Sequence, residues 1–393
     1  MLSKRLDNIM PSVTVAISSK VKEMQAKGID VISLSIGEPD FNVPEKAKEY
    51  GKKSLDDNKT KYDFVAGIPE LREEICKKLK RENGLDYSPS DIVLSSGAKN
   101  SITNSLLAVT DPGDEVILPL PYWVSYSEII KITEAVPVEV KTKKENNFKI
   151  TKEELLNAIT EKTKMIVITN PSNPTGAVYT KDELVEIANV CVEKGIYILA
   201  DEIYEKIRFN DDFVSIASLS PEIKDITITV NGFAKSAAMT GVRLGYTASN
   251  PEIAKAMTSI QGHIVSHPCL TAQYIGLGAL KECESDMQHM VDTYKNRCKL
   301  ITERLDKIAN IGYVKPSGAF YIFVDLSKVK EKYDYKDSFS VKFCEDFLEK
   351  EKVALVPGKA FGIDEYIRIS YACNEKDFLE GLDRLERYIS EFV

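Results

Sequence analysis

The segment VNGFAKSAAMTGVRLGY, residues 230–246, sets one lysine, Lys235, among small and apolar residues and follows it eight positions later with Arg243. An ordinary lysine keeps its ammonium group in water, and fully buried lysines are rare. The segment begins where a β-branched run, ITITV (226–230), ends, and that run predicts a strand. We therefore expect Lys235 near the carboxyl end of a buried strand, in surroundings that solvate its ammonium group poorly.

Short apolar runs alternate with longer helical stretches on both sides of this segment. The predicted strands are residues 91–96, 115–120, 136–140, 165–169, 196–200, 226–230 and 243–248. Thr151 with Glu154 has the spacing of a capping box, as has Thr180 with Glu183, and Asn250 precedes a proline at a helix start. Strands that are apolar on both faces are typical of a parallel sheet between helices. The pattern predicts an α/β fold with a large, mainly parallel, doubly wound sheet covered by helices.

The pattern changes after about residue 280. A long polar-faced helical stretch leads to three further predicted strands, residues 319–325, 353–357 and 366–372, with helices between and after them. This order is typical of a smaller α+β domain, and the run DVISLSIG (30–37) is expected to pair with it. We divide the chain into an N-terminal arm with part of the small domain (1–45), a large domain (46–280) and a small C-terminal domain (281–393).

The composition excludes several classes of function. The chain has 393 residues, a net charge of -8 and no long run of Lys or Arg, which disfavours nucleic-acid or membrane binding. Its seven cysteines are scattered and form no CxxC pair, and its three histidines show no metal-binding or triad spacing. The sequence lacks a secretory leader and a bilayer-spanning run. We therefore expect a cytoplasmic protein with reduced thiols and no metal ion.

Polar residues follow four of the predicted strands. The turn Ser96-Gly97-Ala98-Lys99 precedes a helix, so its amides can bind an anion, and Asn173 lies in a turn rich in Asn and Pro. Asp201 directly follows an apolar strand, with Tyr204 one helical turn later. Each feature alone also fits an ordinary turn. Together with Lys235 on the same rim, they form the set that pyridoxal 5'-phosphate requires, namely an amine, an acid at the ring nitrogen and a phosphate cradle.

Ordered motifs along nearly the whole chain strengthen this interpretation. They are SIGEPDF, KYDFVAGIPELR, SSGAKN, DPGDEVILPLPYWVSY, NPSNPTGAVY, ADEIYE, NGFAKSAAMTGVRLGY, PSGAFYIF, VPGKAFG and IRISYA. With these motifs the chain resembles the fold-type I, class I aminotransferases, and among them the bacterial aspartate aminotransferases. The resemblance implies a homodimer with shared active sites that transfers the amino group of an L-amino acid, with aspartate expected, to 2-oxoglutarate. Aromatic, alanine or broader specificity is the alternative.

The resemblance also implies that the large domain binds the cofactor, and it assigns the residues that contact the cofactor ring. Lys235 matches the lysine that forms the Schiff base and supports a ping-pong mechanism. Asp201 matches the aspartate that keeps the ring nitrogen protonated, and Tyr204 and Asn173 match the pair that binds the 3'-oxygen. Trp123 matches the aromatic residue that stacks on the ring. The resemblance thus makes Lys235, Asp201 and Tyr204 the catalytic residues, and it suggests a cis bond after Asn173.

Phosphate and substrate contacts follow from the same matches. Arg243 and the turn of Ser96, Gly97, Ala98 and Lys99 match the phosphate cradle, and Tyr62 matches the tyrosine that reaches the phosphate of the neighbouring subunit. Arg368 matches the arginine that binds the substrate α-carboxylate through two parallel hydrogen bonds. The complete set implied for the amino acid or 2-oxo acid substrate is Gly37, Lys99, Trp123, Asn173, Arg368 and Thr14, with Lys99 and Thr14 assigned to the distal carboxylate.

Some positions depart from the family pattern. Gly232 replaces a serine that contacts the phosphate in some relatives, and Met10 stands where members that accept prephenate carry a lysine, which argues against prephenate as a substrate. We interpret Tyr122, Tyr126 and Phe320 as packing residues.

Other classes stay open. A carbon–sulfur lyase or an aminocyclopropane-carboxylate-type synthase would share Lys235 and Asp201, so only product analysis separates them from an aminotransferase. A non-catalytic regulator would bind the same cofactor, but such chains carry a helix-turn-helix module in front, and only about 30 residues precede VISLS here. A nicotinamide-dependent dehydrogenase is disfavoured because the sequence has no GxGxxG turn.

Overall fold

The computed structural model describes residues 3–11, 13–210 and 213–392. Its strands are β1 (Ile32–Ser33), β2 (Ile92–Ser95), β3 (Glu115–Leu120), β4 (Val136–Lys141), β5 (Thr163–Thr169), β6 (Tyr197–Asp201), β7 (Thr227–Gly232), β8 (Gly245–Ala248), β9 (Gly312–Tyr313), β10 (Tyr321–Asp325), β11 (Val353–Ala354), β12 (Val356–Pro357) and β13 (Tyr366–Ser370). Its helices are α1 (Val13–Ala26), α2 (Glu45–Asp56), α3 (Pro69–Asn83), α4 (Ala98–Val109), α5 (Ser125–Ile132), α6 (Lys152–Ala158), α7 (Lys181–Lys194), α8 (Pro221–Ile226), α9 (Phe233–Ser236), α10 (Pro251–Ile264), α11 (Leu270–Glu282), α12 (Glu284–Leu305), α13 (Ser327–Lys330), α14 (Phe339–Glu351) and α15 (Glu375–Ile389).

The large sheet has the strand order β2-β8-β7-β6-β5-β3-β4 within the described ranges. Strands β3 to β7 run parallel to their neighbours, and β8 is antiparallel to both β7 and β2. The mainly parallel sheet is therefore confirmed. The exception has a geometric cause, since the connection from β7 to β8 contains only the four-residue helix α9 and a short 3-10 turn. A parallel return needs a longer crossover, usually with a full helix across one face of the sheet.

The predicted helix starts of the large domain are also present. Thr151 and Thr180 each accept a hydrogen bond from the backbone N–H of the glutamate three residues later, which completes both capping boxes. Asn250 accepts one from the N–H of Ile253 at the start of α10. These caps satisfy backbone donors that have no partner inside the helix.

The small domain is built on an antiparallel sheet of order β12-β13-β10-β9. The run 353–357, predicted as one strand, is instead two short strands in different sheets. Strand β11 pairs in parallel with β1, and β12 pairs with β13. The first pairing confirms that the run 30–37 pairs with a strand of the C-terminal part of the chain. We propose the division at residues 45 and 280 as the domain boundaries.

None of the helices in the described part of the chain combines the length and the apolar character needed to cross a bilayer.

A buried ion pair holds the turn after β6 against helix α3. The ammonium group of Lys78 contacts the carboxylate of Glu205, and their side chains are 4% and 5% exposed. Asn83 completes the group, because it donates to Glu205 at 2.8 Å and accepts from Lys78 at 2.8 Å. Burying two charges is costly, so the pair stabilises the fold only while both members are present. Glu205 follows Tyr204 in sequence, and the pair thereby anchors the turn that carries this predicted site residue.

Replacement of Lys78 by Met should be strongly destabilising, because it leaves the Glu205 carboxylate buried without its cation. We expect the free energy of unfolding to fall by about 3–5 kcal/mol. Chemical denaturation followed by circular dichroism measures this change. Lys77→Met is the matched control on the same helix, since Lys77 pairs with Glu74 at a side-chain exposure of 64%, and it should change the midpoint little. Equal midpoints for the two variants would contradict the assigned role of the pair.

Candidate active site

A cavity of about 610 Å³ opens at the carboxyl ends of β5, β6 and β7. These strands are neighbours in the parallel part of the sheet, so the residues that follow them meet at one edge. Most of the predicted site residues line this cavity, namely Thr14, Gly37, Ala98, Lys99, Trp123, Asn173, Asp201, Tyr204, Lys235, Arg243 and Arg368. Ser96 and Gly97 lie in the adjoining turn before α4, and Tyr62 lies apart on the surface with 91% exposure.

Lys235 lies on helix α9, directly after β7, and its side chain points into the cavity. Its ammonium group donates a hydrogen bond to the carbonyl oxygen of Gly37. The nitrogen lies 5.7 Å from the ring centre of Tyr204 and 5.6 Å from that of Phe320. Burial lowers the pKa of Lys235 to about 8, and the charge of Arg368 acts in the same direction. A lysine with this pKa has a neutral fraction near physiological pH and can act as a nucleophile or a base.

Asp201 ends strand β6 and is only 4% exposed. The hydroxyl group of Tyr126 donates to its Oδ2 at 2.6 Å, and the N–H of Ile203 donates to its Oδ1 at 3.2 Å. Burial raises the pKa of Asp201, whereas the Tyr126 and Ile203 hydrogen bonds lower it. Tyr126 is buried as predicted for a packing residue, but its hydroxyl also contacts this functional carboxyl group. No local pattern predicts that contact, because it joins residues 75 positions apart.

A second tyrosine, Tyr321, was also missed. Its hydroxyl oxygen lies 2.9 Å from that of Tyr204. The ring of Tyr321 lies 4.3 Å below the guanidinium carbon of Arg368. Tyr321 is the first residue of β10 and lies in the aromatic run AFYIF. A tyrosine in a buried strand needs a polar partner for its hydroxyl, and this requirement was the sequence signal that pointed to Tyr321.

Arg368 lies on β13 and is 3% exposed. Its Nη1 donates to Asn173 Oδ1 at 3.1 Å, and its Nη2 donates to the carbonyl oxygen of Ser35 at 2.9 Å. Its Nε has no hydrogen-bond partner, and no carboxylate of the described residues pairs with its charge. Burial lowers the pKa of Arg368. A buried cation with a free donor is suited to a carboxylate ligand, which would supply the missing charge and acceptors.

The turn before α4 has the form of an anion cradle. Gly97 has a φ of +87°, and a Cβ atom there would come within 2.6 Å of Arg243 Nη2. A Cβ on Gly245 would come within 2.5 Å of the amide nitrogen of Ala98. The amides of Ala98 and Lys99 begin the helix and have no acceptor among the described residues. The absence of a Cβ at both glycines therefore lets the Arg243 side chain and the neighbouring backbone approach this turn closely, beside amide donors that have no acceptor.

Lys99 and Trp123 form another wall of the cavity. The ammonium nitrogen of Lys99 lies 4.9 Å from the ring centre of Trp123 and 3.1 Å from Ser125 Oγ. Desolvation by the cavity walls and the charge of Arg243 lower the pKa of Lys99. The peptide bond between Asn173 and Pro174 is cis, as the resemblance suggested.

Known proteins resemble this chain over nearly its whole length. The family model for class I and II aminotransferases matches residues 29–385. The chain is 47% identical over 393 residues to a probable aspartate/prephenate aminotransferase of Aquifex aeolicus (strain VF5), with 99% of each chain covered. It is 42% identical over 391 residues to an aspartate aminotransferase of Bacillus subtilis (strain 168), again with 99% of each covered.

Solved structures agree with this result. An aspartate aminotransferase from Thermus thermophilus with maleate superposes with a TM-score of 0.93 at 39% identity, covering 98% of this chain and 99% of the other. The aspartate aminotransferase from Rhizobium meliloti gives a TM-score of 0.95 at 35% identity, with 100% of each chain covered. The resemblance inferred from the sequence motifs is confirmed. The chain belongs to the class I and II aminotransferase family.

Proposed function

We propose that this aminotransferase uses pyridoxal 5'-phosphate and moves the amino group of L-aspartate to 2-oxoglutarate. The observation that carries the proposal is the presence of Lys235, an amine with a pKa of about 8, in one cavity with the buried groups of Asp201 and Arg368. The relatives and solved structures named aspartate aminotransferase support aspartate as the donor.

The residues of the cavity fit the ring of the cofactor. Lys235 would hold its aldehyde carbon, and Asp201 would accept the ring N–H. Tyr204 and Asn173 would bind the 3'-oxygen, and Trp123 would cover one face of the ring. When bound, pyridoxal 5'-phosphate supplies an electron-withdrawing ring that stabilises negative charge on the substrate α-carbon.

The turn before α4 fits the phosphate group. Gly97 and Gly245 let Arg243 and the backbone of β8 approach this turn closely, and the amides of Ala98 and Lys99 have no acceptors of their own among the described residues. Ser96 lies at the start of this turn, and Arg243 adds a positive charge beside it. A dianionic phosphate there would accept these donors at a helix N-terminus.

Arg368 is the residue that would position both substrates. An amino acid and a 2-oxo acid each carry an α-carboxylate, and the guanidinium group can bind it through two parallel hydrogen bonds. Gly37, beside Arg368 and Lys235, would close over the same group. Because both substrates use one carboxylate site, they must enter in turn, which predicts ping-pong kinetics.

Lys235 would move the proton. Its side chain lines the cavity, and its lowered pKa would allow it to accept the substrate α-proton and to return it at a neighbouring carbon. Asp201 would balance the positive charge of the protonated ring. These assignments keep Lys235, Asp201 and Tyr204 as the catalytic residues.

Lys99 and Thr14 would select a dicarboxylic substrate. Both line the cavity, and the ammonium group of Lys99 has no carboxylate partner among the described residues. The distal carboxylate of aspartate or 2-oxoglutarate would supply one.

A homodimer with shared active sites is part of the proposal. Tyr62 is 91% exposed and Phe64 is 60% exposed, and Ile264 and Val265 beside them are 54% and 41% exposed. The N–H of Asp63 donates to a ring nitrogen of His267, which holds this segment against the end of α10. An apolar surface of this kind is suited to an interface, where Tyr62 would reach the phosphate in the partner subunit.

The cysteines support a cytoplasmic location. All seven are free thiols: four are buried, two are half-buried and Cys269 is exposed. Free thiols persist in a reducing compartment. We propose small amino and 2-oxo acids as the substrates, and neither a nucleic acid nor a membrane as a partner.

Replacement of Lys235 by Ala should abolish the attachment of the cofactor. We expect the visible absorbance band of the bound cofactor to disappear and turnover to fall by about 10³-fold or more, because the variant lacks both the attaching amine and the proton-transfer group. Absorbance spectra and a coupled assay with aspartate and 2-oxoglutarate measure the two effects. Lys181→Ala, on the exposed first turn of α7, is the control. A Lys235→Ala protein that keeps the band and the turnover would refute the assignment.

Variants of Arg368 and Lys99 should separate general from selective substrate binding. Arg368→Ala removes the proposed α-carboxylate site, so kcat/KM should fall by about 100-fold for every amino acid. Lys99→Ala should lower kcat/KM for aspartate by about tenfold and leave that for alanine nearly unchanged. Steady-state kinetics with both donors provide the comparison. An equal loss for alanine and aspartate in the Lys99 variant would remove Lys99 from the specificity site.

The reactivity of Lys235 should depend on pH in a way that reports its pKa. In protein stripped of cofactor, we expect modification of Lys235 by trinitrobenzenesulfonate to increase as pH rises, with a midpoint near 8, because only the neutral amine reacts. An ordinary lysine has its midpoint near about 10.4. Peptide mass spectrometry across the pH series identifies the modified residue.

The same experiment has a matched variant. Arg368→Ala removes a positive charge that lowers the pKa of Lys235, so the midpoint should move upward. A wild-type midpoint close to that of an ordinary lysine would show that the amine is solvated.

A further inference from the structure

Three side chains form a continuous hydrogen-bonded line behind the proposed ring site. Thr169 Oγ1 lies 2.8 Å from the Tyr126 hydroxyl oxygen, and that hydroxyl lies 2.6 Å from Asp201 Oδ2. Thr169 ends β5 directly opposite Asp201 in the parallel register with β6. Tyr126 is 1% exposed, on the first turn of α5. One oxygen of Asp201, Oδ2, thus accepts from Tyr126, and the other, Oδ1, accepts from the backbone N–H of Ile203.

The chemistry of the three groups fixes the direction of donation. An ionised carboxylate can only accept, so the Tyr126 hydroxyl donates its proton to Asp201. That hydroxyl has no second proton, and Thr169 must therefore be the donor to Tyr126. Burial raises the pKa of Tyr126 well above its ordinary value, so the hydroxyl keeps its proton. Each Asp201 oxygen then has one fixed donor and a lone pair left for a ligand.

We propose that Tyr126 is a positioning residue, supported by Thr169, that holds the Asp201 carboxylate ionised and aimed at the ring nitrogen of the cofactor. This inference rests on the proposed function and extends it to two residues that do not themselves contact the ring nitrogen. A buried carboxylate without donors would take up a proton and could no longer attract the ring N–H. Two charge-assisted hydrogen bonds oppose that loss and fix the rotation of the carboxyl group.

The same short segment also places the aromatic residue over the ring. Trp123 and Tyr126 are in edge-to-face contact, with their ring centres 5.2 Å apart. The segment at the start of α5 thus supplies both Trp123, which forms part of the cavity wall, and Tyr126, which donates to Asp201. A purely structural role for Tyr126 would be carried by its ring, whereas the positioning role is carried by its hydroxyl. Tyr126→Phe separates the two because it keeps the ring.

The single tryptophan makes a direct binding test possible. Trp123 is the one tryptophan in the sequence, and it lines the cavity, so quenching of its fluorescence reports occupancy. The probe is pyridoxamine 5'-phosphate, which forms no covalent bond with Lys235, titrated into full-length protein stripped of cofactor. We expect Tyr126→Phe to weaken its binding by about tenfold, the effect of losing one hydrogen bond to a charged group. Thr169→Val should weaken it by about two- to threefold.

A second probe identifies the atom through which Tyr126 acts. In the carbocyclic analogue of pyridoxamine 5'-phosphate, a C–H replaces the ring nitrogen. The ratio of wild-type to Tyr126→Phe affinity should then be close to one, because Asp201 has no ring proton to attract. The double variant Thr169→Val/Tyr126→Phe should bind pyridoxamine 5'-phosphate no more weakly than Tyr126→Phe alone, since Thr169 acts through the lost hydroxyl.

Tyr122→Phe is the matched control. Its hydroxyl donates to Glu139 and not to Asp201, so we expect wild-type affinity for both probes. An unchanged affinity in Tyr126→Phe, or an equal loss for both probes, would overturn the positioning role while leaving the proposed function intact. If wild-type protein fails to bind pyridoxamine 5'-phosphate, the proposed function itself fails.

Discussion

The buried carboxyl group of Asp201 is the constraint around which the site is organised. A carboxylate at 4% exposure is unstable unless donors or cations replace the lost water. The parallel sheet meets this requirement because β5 and β7 end on either side of β6, and each carries at or just after its end a group that affects Asp201. Thr169 acts through Tyr126, and Lys235 contributes a positive charge. The mainly parallel order of the strands is therefore a condition for the chemistry, since an antiparallel β6 would deliver Asp201 to the opposite edge.

The charge of the cavity differs from that of the whole protein. The chain has a net charge of -8, whereas the described lining of the cavity has five basic residues, Lys22, Lys99, Lys235, Arg243 and Arg368, and two acidic ones, Glu38 and Asp201. A local excess of positive charge in a partly desolvated space attracts anions. The proposed ligands carry a phosphate and up to two carboxylates, which the basic groups of the lining would attract. Desolvation by burial is the main cause that lowers the pKa of Lys235 and that of Lys99, and repulsion from Arg368 and Arg243 respectively adds to it.

Local sequence rules predicted the parts of this structure that depend on neighbouring residues. The strands of the large sheet, the caps at Thr151, Thr180 and Asn250, and the glycine turn before α4 all follow from patterns within a few positions. Site residues such as Trp123, Thr14 and Arg368 needed the family resemblance, because a single arginine such as Arg368 gives no local signal. Contacts between distant segments were not predictable from spacing. The Tyr126 hydroxyl bond depends on how α5 packs against the ends of β5 and β6, and the reversal of β8 depends on the length of its connection.

The turn after β6 shows how the fold supports the site from behind. Successive residues of this turn face opposite sides, so that Asp201 and Tyr204 point into the cavity while Glu202 and Glu205 point toward the core. Glu202 Oε1 accepts from the hydroxyl of Ser215 at 2.8 Å and from the N–H of Ile216 at 3.2 Å, and burial raises the pKa of Glu202 to about 8. A protonated Glu202 adds no second negative charge next to Asp201, and the charge of Glu205 is compensated by Lys78. The core side of the turn is thus close to electrically neutral. Asp201 is consequently the one acidic residue of this turn whose charge acts on the proposed ring nitrogen, so a single carboxylate would control the protonation of the cofactor ring.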